Sequence, residues 1–249
     1  IAGSSKATWL DLIAEHDDRT SIHPRNLEKA LARWTPRVDR RAITEDLRVA
    51  TAQEMRVVQP GDEHWPEQLD HLQSHTPMLL WARGDLSLLQ TPSLAVVGAR
   101  ASTPYGEEVT HEMTAMACRR EQTIVSGVAY GIDAVAHRTA LSLNAPTIAV
   151  LAGGADRVYP AGHASLISAI VKQGLVLAEL PPGSAPTRWR FLHRNRVIAA
   201  LSQATLVTEA GVRSSSINTA GHAAELGRSL GAVPGPITSA GSHGCFHLM

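Results

Sequence analysis

The sequence predicts an α/β protein, a doubly wound parallel sheet of about six strands preceded by a small helical N-terminal region. Three observations predict it. From Ser93 onward, short apolar runs rich in Val, Ile and Ala alternate with longer stretches of helical spacing. The runs are apolar at consecutive positions, as strands buried on both faces require. With 249 residues and 44% hydrophobic content, the chain is long and apolar enough to bury one sizeable core.

Taken in order, residues 1–58 are rich in Ala, Arg and Leu. There "TWLDLIAEH", "NLEKALARW" and "RRAITEDLRVATAQEM" each place apolar residues three and four apart, which predicts helices. "QPGDEHWPEQL" follows with two prolines among polar residues, and residues 59–92 read as a connecting segment. Residues 93–249 read as the sheet domain. Its predicted strands are "SLAVVG", "TIVSG", "TIAVLA", "LVLAEL", "TLVTEA" and "GAVPGP"; its predicted helices are 103–119, 131–143, 161–173, 192–202 and 216–230. Each helix supplies the crossover between parallel neighbours. Open parallel sheets bind ligands outside the carboxyl ends of their strands, where strand order reverses. Those ends carry Gly98–Arg100, Ser126–Gly127, Gly153–Gly154, Glu209 and Ser214–Ser216, so the site is expected there.

Basic and acidic side chains number 23 each, so a nucleic-acid partner has to be held by a local patch rather than by a basic body. Cys118 and Cys245 are the only cysteines. Neither belongs to a CxxC pair or a Cys/His cluster, and neither a metal site nor a disulfide framework is expected. No apolar stretch reaches the roughly eighteen residues of a membrane span, and no signal-peptide succession opens the chain, which predicts a cytoplasmic protein without membrane contact. The chain opens at Ile1 and stops at Met249, and both ends read as cut.

The chemistry-bearing segments follow the strands. "GARASTPYG" keeps the turn glycine of a dinucleotide fingerprint, Gly98, but places Arg100 where the second glycine belongs and Thr103 where the third does. A guanidinium fork is thereby offered to phosphate, unless Arg100 merely pairs with a surface carboxylate. Ser102 and Thr103 are placed to cap the next helix, whose N-terminus favours an anion. In "SGVAYGIDAVAH", Gly127 and Gly131 permit a tight turn, while Asp133 either complements the helix dipole or only starts the helix. His137 is on the same face one turn later. "LAGGADRVYPAGH" contributes the pair Gly153 and Gly154. Its Tyr159, with Tyr105 and Tyr130, is expected on one rim.

"RWRFLHRNR" carries Arg188, Arg190, Arg194 and Arg196 with Trp189, Phe191 and His193, and no acidic residue occurs between Glu179 and Glu209. Guanidinium groups interleaved with rings suit single-stranded nucleic acid, the charges following phosphates and the rings stacking on bases. The rival reading makes Trp189 and Phe191 core anchors of a crossover helix. Trp9, Trp34, Trp65 and Trp81 are expected to be structural. Ser214 and Ser216 begin a predicted helix and either hold a phosphate or simply cap it. No GxSxG, HExxH or GxxxxGK[ST] occurs, which favours a binder without cofactor over an enzyme.

In this order, "VVGARASTPYG", "SGVAYGIDAVAH", "GGADRVYPAGH", "FLHRNRVIAALS", "VTEAGVRSSSINTAGHAAELGR", "AVPGP" and "GSHGC" resemble the DNA-processing protein A family, DprA/Smf, over about residues 55–249. The resemblance implies a Rossmann-like domain that binds single-stranded DNA and dimerises. It also implies a recombination mediator in natural transformation, one that loads the RecA recombinase and relieves inhibition by single-strand-binding protein. By motif, Arg100 and Arg196 are expected on phosphate, Phe191 on a base, and Arg194 and Asn195 beside them. The glycine loops at Gly127, Gly131, Gly153 and Gly154, with Ser126, shape the pocket. The family's usual Ser-Gly-Ser is replaced by Ser214-Ser215-Ser216, which puts a side chain where relatives use glycine's freedom. A LOG-like nucleotide phosphoribohydrolase is the enzymatic alternative, but its PGGxGTxxE signature is not matched by "TEAGVRSSSINTAGHAAE". A dinucleotide-dependent dehydrogenase is disfavoured by Arg100.

Overall fold

A computed structural model of the chain describes residues 24–249. The predicted helix "TWLDLIAEH" and Trp9 lie outside the described residues. Two compact units are present, Ile1–Glu45 and Asp46–Met249. In the first, the described residues form helix α1 (Pro24–Trp34), a 3-10 turn and the start of α2 (Arg40–Ala52). Trp34, expected to be structural, is 56% exposed.

The second unit holds one eight-stranded sheet. Its strands are β1 (Arg56–Val58), β2 (Leu80–Gly84), β3 (Ser93–Gly98), β4 (Thr123–Ser126), β5 (Thr147–Gly154), β6 (Leu175–Leu180), β7 (Ala204–Glu209) and β8 (Ser229–Ala232), in the order β1-β2-β6-β5-β4-β3-β7-β8. The six predicted strands are β3 to β8, and every pairing among them is parallel. They are joined by α3 (Pro104–Arg119), α4 (Ile132–Ser142), α5 (Ala164–Gln173), α6 (Arg188–Leu201) and α7 (Ser216–Glu225); α8 (His243–Leu248) ends the chain. The sheet is therefore doubly wound, and its strand order reverses between β3 and β7.

Successive side chains of a strand point to opposite faces, and both faces here are covered. Ala95, Val97, Ile148, Val150, Leu175 and Leu177 pack with Val197, Ile198 and Leu201 of α6. The intervening Ala149, Leu151, Val176 and Ala178 pack with Leu166, Ile167 and Ile170 of α5, and Val96 packs with Ile132, Ala136 and Ala140 of α4. Double coverage is why these strands read as unbroken apolar runs.

The segment 59–92 is more than a connection. β2 pairs antiparallel with β6 and carries β1 on its outer edge, extending the sheet beyond the parallel strands. Trp65, Leu69, Leu80 and Trp81 are buried, and Trp65 Nε1 donates to Asp70 at 3.0 Å. The boundaries drawn at 58 and 92 thus fall inside a unit that begins at Asp46. Leu69→Ala, at a wholly buried position of the shared core, is expected to lower stability by about 2–5 kcal/mol in urea unfolding; a change within 0.5 kcal/mol would make the segment an ornament.

Candidate nucleic-acid interface

The reversal of strand order opens a crevice between the ends of β3 and β7, and the sequence lines it with loops that nest closely. Ala99 N–H donates to the Glu209 carbonyl at 2.7 Å, and Ile132 N–H donates to the Ala99 carbonyl at 3.1 Å. Gly131 has φ +74°, and a Cβ there would strike the carbonyls of Ala99 and Arg100, so both conformation and space require glycine. The result holds Arg100 at the mouth. Its side chain is exposed, with no carboxylate at ion-pair distance among the described residues, and its guanidinium lies 4.8 Å from the Phe191 ring centroid. A cation at that range over a ring is held by the ring's quadrupole while its N–H groups stay free. The Tyr159 ring lies 5.7 Å from the same ring, tilted by 49°.

Two hollows flank Phe191. A shallow cleft lies between Arg100, Arg194, Asn195, Ser215 and Ser216, and a narrow slot lies between Arg157, Tyr159 and Pro186. Both are also lined by Arg194, which α6 buries until only 7% of its surface remains exposed. Nη1 donates to the Val150 carbonyl at 2.8 Å, and Nε has no partner. Burial pulls the guanidinium down to about 10, against the attraction of Asp133. Burial likewise pushes the Asp133 carboxyl up, against the pull of Arg194. Asp133 is thus more than a helix start, since it faces a buried cation. Gly127 makes room for both groups, a Cβ there falling on Nη1 of Arg194.

Asn195 works from behind. Its Nδ2 donates to the Ser215 carbonyl and to Asn218 Oδ1, each at 3.2 Å, tying α6 to the serine loop and to α7. The hydroxyls of Ser214 and Ser216 bond each other at 2.6 Å. Ser215 has φ −66° and ψ −16°, ordinary right-handed backbone, so the turn accepts its side chain without needing glycine's freedom.

Other expected contacts are spent elsewhere. Arg196, expected on phosphate, is 5% exposed; its Nη1 and Nη2 grip both oxygens of Glu179 at 2.8 and 2.6 Å, and Nε donates to the His75 carbonyl at 3.0 Å. It pins α6 to β6. Ser126 is wholly buried and donates to the Val96 carbonyl. Ser102 donates to Glu107, and Thr103 caps α3 through the Gly106 N–H at 3.1 Å. The anion expected at the α3 N-terminus is internal, because the Glu209 carboxylate accepts the Thr103 N–H at 2.9 Å. Gly153 lines the slot, while Gly154 donates to the Ser184 carbonyl at 2.9 Å. Of the tyrosines, Tyr159 borders the site; Tyr105 donates to the Pro234 carbonyl and Tyr130 packs edge-on against His163. Arg157 stood inside the quoted "LAGGADRVYPAGH" without being singled out, and Pro186 had no motif to mark it. Glu209 stood at a strand end, but only the fold shows what it caps.

His137 lies beside Gly127, fully buried. The Gly127 carbonyl can only accept, so Nε2 carries the proton, and Nδ1 meets the Thr147 hydroxyl at 2.7 Å. Burial, with the nearby charge of Arg194, depresses it from 6.5 to about 4. The unfolded chain therefore takes up this proton first, and the site's contribution to stability, complete above pH 6.5, is lost as pH falls toward about 4. Urea midpoints measured across that window should drop for the native chain and vary less for His137→Gln. Gly127→Ala is expected to cost about 1–3 kcal/mol in the same assay by crowding Arg194; an unchanged midpoint would show that the guanidinium can move aside.

Residues 56–249 match the family model described as DNA recombination-mediator protein A. The chain is 44% identical over 224 residues to the putative DNA processing protein DprA of Mycobacterium tuberculosis, a match covering 85% of this chain and 57% of that protein. It is 40% identical over 188 residues to the DNA processing protein DprA of Streptococcus pneumoniae, covering 76% and 66% respectively. The X-ray structure of that pneumococcal protein superposes with a TM-score of 0.83 at 33% identity, over 96% of this chain and 84% of the other. A structure of DNA processing protein A from Helicobacter pylori, described for its single-stranded DNA binding mode, superposes with a TM-score of 0.71 at 30% identity, over 78% and 86%. This chain spans a little over half the length of the mycobacterial relative. With the doubly wound Rossmann-like sheet and the cleft residues matching the quoted motifs, the chain belongs to the DNA recombination-mediator protein A family.

Proposed function

We propose that this chain binds single-stranded DNA across the crevice at the strand-order reversal, and does so as a binder rather than an enzyme. Within its full-length protein it acts as a recombination mediator in DNA uptake. It protects incoming strands, passes them to a RecA-type recombinase in competition with single-strand-binding protein, and works in the cytoplasm as a homodimer built on the sheet domain. The observation that carries the binding reading is the stacked pair Arg100 and Phe191 at the mouth of the cleft. The guanidinium offers donors to a phosphate, and the ring offers a face to the adjoining base. The relatives' names, DNA processing proteins, and the family's description as a recombination mediator support the mediator reading, and the described DNA-binding mode of the H. pylori protein supports the ligand.

Within this reading the arginines divide by role. Arg100 contacts phosphate; Arg194 supplies a fixed positive charge in the cleft wall; Asn195 ties α6 to the loop of Ser214 and Ser216. Arg196 is kept out of the interface by its bidentate pair with Glu179.

Fluorescence anisotropy with labelled oligothymidine tests the assignment. Arg100→Ala should weaken binding and reduce the slope of log K against log salt by about 0.7, and Phe191→Ala should cost about 1–3 kcal/mol. Arg196→Ala should instead lower stability by about 3 kcal/mol, the lower end for a buried pair because a quarter of the Glu179 side chain stays in water. Failure of the unaltered chain to bind any strand at low salt sinks the reading.

A further inference from the structure

Trp189 is left unexplained by the site described above. It is 69% exposed, so the expectation of a core anchor does not hold for it. Side chains advance about 100° per residue along a helix, so Trp189 and Phe191, two positions apart, point to opposite sides of α6. Phe191 faces the cleft. Trp189 faces outward one turn before His193, and the two rings lie 5.6 Å apart at 35°. His193 is in turn held 3.5 Å from Glu179, the carboxylate that Arg196 grips. The indole is therefore braced on its inner side by a ring that is itself braced, while its outer face stays in water.

The surroundings are basic. Arg188 is exposed beside it, and Arg190 Nη1 donates to the Ala185 carbonyl, shaping the approach to the helix. Arg100 and Arg157 are exposed along the mouth of the same crevice. None of the four has a carboxylate at ion-pair distance among the described residues, in a chain whose formal net charge is zero. A braced, solvent-facing ring with arginines around it, whose nearby acid Glu179 is already paired with Arg196, fits an anionic polymer that carries planar groups.

We propose that Trp189 is a second stacking platform for the single strand whose first platform is Phe191, reached where the strand leaves the cleft and crosses the N-terminal end of α6. This rests on the strand-binding reading above and gives it a direction. The two rings are separated by about the width of one helix, 10–12 Å, so an oligonucleotide long enough to occupy the cleft alone does not reach the indole. Stacking tolerates any base, because every base has a π-face.

The experiment compares a thymidine dinucleotide, whose single step cannot cross about 10 Å, with an oligothymidine of about 16 nucleotides, the upper limit of common single-strand site sizes, on the native chain, Trp189→Ala, Trp189→Phe and Phe191→Ala. Trp189→Ala should weaken the longer strand by about 5- to 100-fold and leave the shorter within about twofold, with Trp189→Phe restoring most of the loss. Phe191→Ala should weaken both. Equal affinity of Trp189→Ala and the native chain for the longer strand overturns the proposal while leaving the cleft reading intact. A fall in oligomeric state of Trp189→Ala in sedimentation also overturns it, by giving the indole to a second copy of the chain. If the native chain binds neither oligonucleotide, the cleft reading itself fails and this inference falls with it. Because the side chain is exposed, thermal unfolding of Trp189→Ala should match the native chain and exclude misfolding as the cause.

Discussion

A guanidinium taken almost wholly out of water has to be compensated by its surroundings, and much of the site follows from how Arg194 meets that demand. The Val150 carbonyl accepts from it in the middle of β5, Asp133 faces it from α4, and Gly127, just past β4, gives up its side chain to make room. A strand, a helix and a loop are thereby committed to one charge. Phe191, one turn earlier on α6, lines the same cleft and carries Arg100 over its ring. The buried cation needs no external counterion to stay put, because the protein's own carbonyl and carboxylate already hold it.

The arginine-rich segment shows how little charge alone says about role. Arg188 stands in solvent, Arg190 closes back on Ala185, Arg194 is interred in the cleft wall and Arg196 is claimed by Glu179. Helical geometry sorts them. Residues 194 and 191 fall on the side of the crevice, residues 189, 193 and 196 on the side of β6 and His75. A run that reads as one basic patch is two faces with separate duties, one shaping a pocket and the other fastening the helix that carries it.

What could be read from the sequence divides along the same physical line. The parallel strands were legible because burial on both faces writes a continuous apolar run, and the crevice was legible because glycine and small polar residues gather at the strand ends. β1 and β2 were not, since β1 is three residues long and "LLWARGD" lies in a segment whose prolines argued for a connection. Arg100 and Phe191 stood out by type and position, but the sequence carries no sign that Glu179 lies opposite Arg196, 17 positions away. For Trp189 aromatic bulk argued equally for stacking and for burial, and only its place on the helix shows which face it takes.

The carboxylate of Glu209, seated against the start of α3, bears on what this sheet can accept. In dinucleotide-binding relatives of the fold that position belongs to a ligand's pyrophosphate. Here the chain has installed its own negative charge there, holding the Thr103 amide and lying against Gly106. A small phosphorylated metabolite arriving at the old cofactor berth would find the donors taken and a like charge waiting. That leaves the rim, where the proposed strand would lie across the protein instead of plugging into it.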